Sequence, residues 1–250
     1  MKQTMLVVGL LVLLPVLARA DGDLKSRADA AWEARENPAQ ARVAVDLYQQ
    51  LAAKDPADVE SRLRVARGTY WLLEELKVEM EKEQKTALYD RAIKGCNDII
   101  ARDEDNVGAW YWFMWDQGAR TLINGVFSGW DLRAAIVGTI MVAKGNVNYD
   151  SGGVYRYWGK VIYETPGLMG KFLHFSGADS VWLYRQALKV EPKYLPTHLF
   201  LAETFEELGR AADAKKEYQF CVDQPDNTLP LFGPETRLYK RLAREKLAKL

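Results

Sequence analysis

The chain has 250 residues, with 34 basic and 34 acidic side chains and two histidines. That balance gives no electrostatic reason to expect nucleic acid or an anionic membrane as the partner. About half of the residues (48%) are apolar, which suffices for a substantial core in one domain or one continuous repeat array.

The first segment reads as an export signal. Lys2 supplies a positive start, Met5 to Leu17 is apolar, and Ala18-Arg19-Ala20 has the small-x-small pattern that signal peptidase cuts. The apolar run is shorter than the roughly 20 residues of a comfortable membrane span. Residues 1–20 are therefore expected to be a cleaved signal peptide, with retention as an anchor the alternative. The expected location is the periplasm, with a soluble mature chain. No cysteine near the cut offers a lipoprotein attachment point. Lys2 and Arg19 are the only charges in the segment, so the mature chain carries two more acids than bases.

From Asp21 on, helical periodicity repeats. Pro196 to Cys221 carries His198, Leu201, Ala202 and Phe205, then Gly209, then Ala214, Tyr218 and Cys221. This follows the tetratricopeptide-repeat (TPR) pattern of two helices with small and aromatic residues at fixed offsets and a period of about 34 residues. One period before Tyr218 stands Tyr184, and one before Cys221 stands Ala187, closed by Glu191-Pro192. Ala44, Tyr48 and Leu51 with Asp55-Pro56 repeat the arrangement near the start. Two further hairpins are degenerate. One pairs Arg62 to Leu76 with Lys85 to Arg102, across a charged linker. The other pairs Val107 to Ala119 with Trp130 to Lys144. The fourth hairpin opens with Val154 to Glu164, between a Gly-rich hinge (Gly145 to Gly153) and a Gly-containing insertion (Pro166 to Gly177). Pro234 starts a last helix, Glu235 to Leu250, whose polar face suits a solenoid cap. The fold class is all-α: about five degenerate TPR hairpins plus a C-terminal capping helix (234–250), in a single domain spanning 21–250.

Cys96 and Cys221 both fall inside amphipathic patterns three hairpins apart. A disulfide needs Cα atoms within about 7 Å, so two buried thiols are expected instead. No Gly-x-Ser-x-Gly, Cys-His pair, phosphate loop or metal-ligand spacing appears. The hinge with Asn146, Asn148 and Asp150 lacks the alternating acids of a calcium loop. The chain is not expected to be an enzyme, nor to need a cofactor.

The run Gly152-Gly153-Val154-Tyr155-Arg156-Tyr157-Trp158-Gly159, then Tyr163-Glu164-Thr165-Pro166-Gly167 and the insertion before Ala178 to Pro192, resembles one TPR group. It is similar to the periplasmic component associated with TRAP transporters (tripartite ATP-independent periplasmic transporters), over most of the mature chain. The resemblance implies an α-helical array with a central pore, association with the transporter's extracytoplasmic solute-binding protein, and hydrophobic organic acids as ligands. Members are often lipoproteins, and this chain departs from that pattern.

TPR arrays bind on the face lined by their first helices. Here those positions are acidic at both ends (Asp29, Glu33 and Glu36; Glu203, Glu206 and Glu207). In the middle they are aromatic and basic. Arg67, Tyr70, Tyr111, Trp115, Arg156, Lys160 and Tyr163 are the expected ligand-binding residues. Arg156 and Lys160 share a helix face four residues apart, and a carboxylate between them would accept charge-assisted hydrogen bonds. Tyr111 and Trp115 belong to a run of five aromatics in six positions that almost encircles its helix, so most of those rings are core. The competing reading is a non-catalytic scaffold that binds a peptide or protein partner in the cell envelope. Self-association and the ligand's identity are left open by the residues alone.

Overall fold

A computed structural model of the chain describes residues 22–124, 129–164 and 174–250; the expected signal peptide and most of the insertion after Thr165 lie outside them. The described residues form helices α1 (22–33), α2 (Pro38–Lys54), α3 (Val59–Tyr70), α4 (Lys82–Ile100), α5 (Val107–Asn124) and α6 (Gly129–Asn146). They continue as α7 (Tyr149–Glu164), α8 (Gly177–Val190), α9 (Leu195–Glu207), α10 (Ala211–Asp223) and α11 (Gly233–Leu247). Contacts divide the chain into two compact units, Met1–Gly95 and Cys96–Leu250, with the division inside α4. Each unit is an array of antiparallel hairpins, whereas the sequence reads as one uninterrupted domain.

In the first unit, Asn37 caps α2 through the Ala39 amide (2.9 Å), with Pro38 in the first turn. Asp58 caps α3 by accepting from Ser61 N (2.9 Å). Such caps satisfy backbone donors that a helix start leaves unpaired. Trp32 of α1 meets Tyr48 of α2 edge-on at 6.0 Å, around a core that includes Ala28, Ala44 and Leu51. The last turn of α3 widens into a π-helix, Trp71–Glu75, where Leu76 N bonds Trp71 O at 2.9 Å. The wider turn keeps Trp71, Leu72 and Leu73 all buried.

In the second unit α5 runs five residues beyond its expected end at Ala119, to Asn124. The aromatic run on α5 is core, as its spacing demanded: Tyr111, Trp112, Phe113 and Trp115 are buried. Gly159 of α7 lies so close to Tyr184 of α8 that an added Cβ would sit 2.6 Å from the ring. Small residues of this kind let the two helices of a hairpin approach. Ser176 and Asp179 form a capping box at the start of α8. Gly209, at φ 69°, turns α9 into α10, and Pro234 opens α11.

The Gly-rich segment expected as a hinge carries a defined kink within the first turn of α7. Asp150, Ser151 and Gly152 are all left-handed, at φ 50°, 57° and 75°. Glycine visits this region at little cost, but Asp and Ser do so only when surrounding contacts hold them. Cys96 and Cys221 are free and buried, as expected. Burial pushes both thiols up from their ordinary ionisation range. Among the described residues no helix is long and apolar enough to cross a membrane.

Candidate functional site

Arg156 explains the kink. Its Nη2 donates to the Asp150 carboxylate (2.5 Å), the Asp150 carbonyl (2.9 Å) and the Tyr111 hydroxyl (3.1 Å). Its Nη1 donates to the Ser151 carbonyl (3.0 Å). Both left-handed non-glycine residues are thus held through their own carbonyls. Tyr111 completes the set by donating to Asp150 Oδ2 at 2.7 Å, and the guanidinium lies 4.5 Å from the Tyr194 ring. The group is 3% exposed. Burial, reinforced by Asp150, pushes the Tyr111 phenol well above its ordinary range.

Three of the expected ligand residues, Arg156, Tyr111 and Trp115, lie in the interior of the fold. Arg156 turns back along α7 into the kink instead of projecting between the helices. Tyr111 and Trp115 are buried, with Trp115 edge-on to Tyr157 at 5.0 Å. Lys160, four residues on, takes another direction: it is half-buried, with Nζ 5.0 Å from the Phe200 ring of α9. Sequence spacing placed the two Cα atoms on one face correctly; the kink decides where Arg156 goes.

A polar strip on α7, α9 and α11 of the second unit is partly open to solvent. Tyr163 is half-buried, and burial together with Glu203, Glu207, Glu164 and Glu206 raises its phenol above the usual range. Lys246 of α11 bonds Glu203 at 3.1 Å and Glu206 at 3.5 Å. Tyr218 of α10 donates to Glu206 Oε2 at 2.5 Å. The strip combines one aromatic, a row of acceptors and one lysine, all partly open. Only Tyr163 of it was among the expected ligand residues, although Glu203, Glu206 and Glu207 were read as facing inward. The Tyr218–Glu206 bond has a parallel in two other hairpins, Tyr48 to Asp29 (2.5 Å) and Tyr89 to Glu74 (2.8 Å). Variable linkers hide this recurrence from a fixed-spacing search.

In the first unit Arg67 is half-buried and Tyr70 buried. Arg67 belongs to a group that sequence reasoning did not assemble. The guanidinium carbons of Arg35, Arg64 and Arg67 lie 4.4, 4.6 and 5.4 Å from the Trp32 ring. Arg35 is also tied to Trp32 O (2.8 Å), and Trp71 Nε1 donates to Arg35 O (2.8 Å). Trp32 and Arg35 are buried, so the indole is enclosed by cations and only Arg64 and Arg67 are partly open, with Glu60 3.7 Å from Arg64.

His198 sits inside the last hairpin, where the TPR pattern placed it. It is stacked on Phe220 at 4.0 Å, with its ring nitrogens 2.6 Å from Glu217 and 2.9 Å from Pro192 O. Among the described residues no group of three or more His, Cys, Asp or Glu side chains could hold a metal ion.

Hairpins with close-packed small residues, buried tyrosines on their second helices and a polar-backed last helix define an all-α TPR array. No protein-family model and no curated protein matches the chain. Among solved structures, TTC0263, a thermophilic TPR protein of Thermus thermophilus, matches with a TM-score of 0.62 at 16% identity. That match covers 89% of this chain and 99% of the other. MamA matches at a TM-score of 0.42 and 16% identity, covering 85% and 93% of the two chains. At such identity the first likeness speaks for the fold alone.

Proposed function

We propose that this chain is a non-catalytic interaction scaffold of the cell envelope, exported by its leader, whose C-terminal hairpins hold a segment of a partner protein. The observation that carries the reading is the open strip of Tyr163, Glu203, Glu206 and Lys246. Acceptors spread over neighbouring helices suit the backbone amides and basic side chains of an extended or helical segment. Arg156, the natural anchor for a small acid, has its donors engaged within the fold.

The partner we propose is the solute-binding protein of a TRAP transporter, on the strength of the motif from Gly152 to Gly167. Size-exclusion chromatography of the two purified proteins tests it. Co-elution that is lost in Glu203→Lys/Glu206→Lys supports the assignment. No co-elution with the unaltered chain, or equal co-elution with the double variant, sinks it.

A second reading, that the chain also carries an organic acid, draws on the two partly open guanidinium groups beside Trp32, those of Arg64 and Arg67. A carboxylate there would meet bidentate donors. Calorimetric titration with phenylacetate and longer aryl carboxylates should give binding that weakens about tenfold in Arg67→Ala, as loss of a charged hydrogen bond of roughly 1.5 kcal/mol would produce. Absence of heat across the series would dismiss it.

A further inference from the structure

α6 breaks the pattern of the other helices. One side packs on α5: Thr139 Oγ1 lies 3.2 Å from Met114 Sδ, and a Cβ on Gly138 would sit 3.0 Å from the Met114 Cβ. The opposite side is apolar as well, yet it faces solvent. Ile136 is 38% exposed, Val137 41% and Ile140 58%. Scattered exposed apolar residues are ordinary, but a contiguous apolar face marks an interaction surface.

A cavity of about 270 Å3 opens beside the C-terminal end of this face. Its walls are Val107, Trp110 and Met141, and exposed Glu104, Asp105 and Lys144 border it. It is smaller than the pockets of about 300–1,000 Å3 that enclose whole ligands, and its size suits one long side chain. At the other end of the face stands exposed Arg133.

Helix arithmetic relates the two ends. At 1.5 Å per residue, Arg133 and Lys144 lie about 8 Å to either side of the point between Gly138 and Thr139. A second copy set antiparallel about that point brings Val137 level with Ile140, Ile136 level with Met141, and Arg133 level with the cavity. The surface is therefore self-complementary, as a two-fold interface requires. The stem of Arg133 would run along Trp110 and Met141, and its guanidinium would meet the two carboxylates, which outnumber the single lysine.

We propose that the chain forms a two-fold dimer through α6, with Arg133 of each copy seated in the cavity of the other between Glu104 and Asp105. The test is sedimentation of the purified mature chain. The unaltered protein should have twice the mass of one chain. Ile140→Glu and Arg133→Glu should each have the mass of one, with unchanged helical circular dichroism and melting. Combining Arg133→Glu with Glu104→Arg and Asp105→Arg should restore the dimer. A variant with Val137→Cys and Ile140→Cys, gently oxidised, should form disulfide-linked pairs, since the register brings 137 of one copy beside 140 of the other. A monomeric unaltered chain, a dimer that survives Ile140→Glu, or no linked pairs would overturn the proposal. A monomer that instead floats with anionic lipid vesicles through this face would overturn it too, by giving the face to a membrane.

Discussion

Arg156 gives its donors to the left-handed kink in the first turn of α7. Spacing put it with Lys160 on one helix face, and the helix does place both there. The side chain follows the backbone instead, because two carbonyls and a carboxylate of the left-handed kink need donors. No hydrophobic period announces three consecutive left-handed residues when two of them are Asp and Ser. Removing one partner of a buried, hydrogen-bonded ion pair strands the other, at a cost of about 3–5 kcal/mol. Arg156→Ala should therefore lower the denaturant midpoint substantially, while Lys160→Ala changes it little. Equal, small effects in urea unfolding would mean that the kink holds without its arginine. The cysteines were legible, since both fell on buried helical positions. Cys96 and Cys221 should be silent to a thiol reagent in the native protein and titrate as two groups once it is unfolded without reductant.

The helices themselves were legible as elements because their apolar periodicity is strong and their ends carry recognisable signals. Asn37-Pro38, Asp58, Ser176 with Asp179, and Gly209 each stop or start a helix by a known hydrogen-bonding or conformational mechanism. What escaped was local and non-periodic: the π-turn at Trp71–Glu75, the extension of α5 to Asn124, and the kink at Asp150. The hairpin contacts follow the small-residue positions, and Gly159 against Tyr184 is a direct one to test. Gly159→Val inserts branched carbons where even one Cβ would stand 2.6 Å from the ring. Overpacking of this kind costs about 1–3 kcal/mol, so the melting temperature should fall by several degrees. A neutral outcome in calorimetry would show that α7 and α8 can separate freely.

Across the whole molecule, tyrosines mark how much of the fold depends on neutral buried phenols. Burial raises Tyr48, Tyr111, Tyr157, Tyr184 and Tyr218 above their ordinary range, in both units. A phenol raised in the folded state adds stability that is complete below its unfolded value of about 10 and is lost as pH rises through the folded value. Stability should thus decline above about pH 10, and these phenols should ionise together with unfolding. Absorbance at 295 nm and far-ultraviolet dichroism should change in one transition; full ionisation of the tyrosines with helicity intact would refute the assignment. The repeat architecture was legible from a period in the sequence, but its division into Met1–Gly95 and Cys96–Leu250 was not, because the boundary falls inside α4.

If the chain is a scaffold, the strip on α7, α9 and α11 meets a protein. A photo-crosslinking amino acid placed at Tyr163 in living cells tests it most directly, with Trp182, 58% exposed on α8, as the comparison position. A discrete protein adduct is expected at 163, absent at 182 and lost when Glu203 and Glu206 are both changed to Lys. No adduct at 163, or the same adducts at both positions, would contradict it.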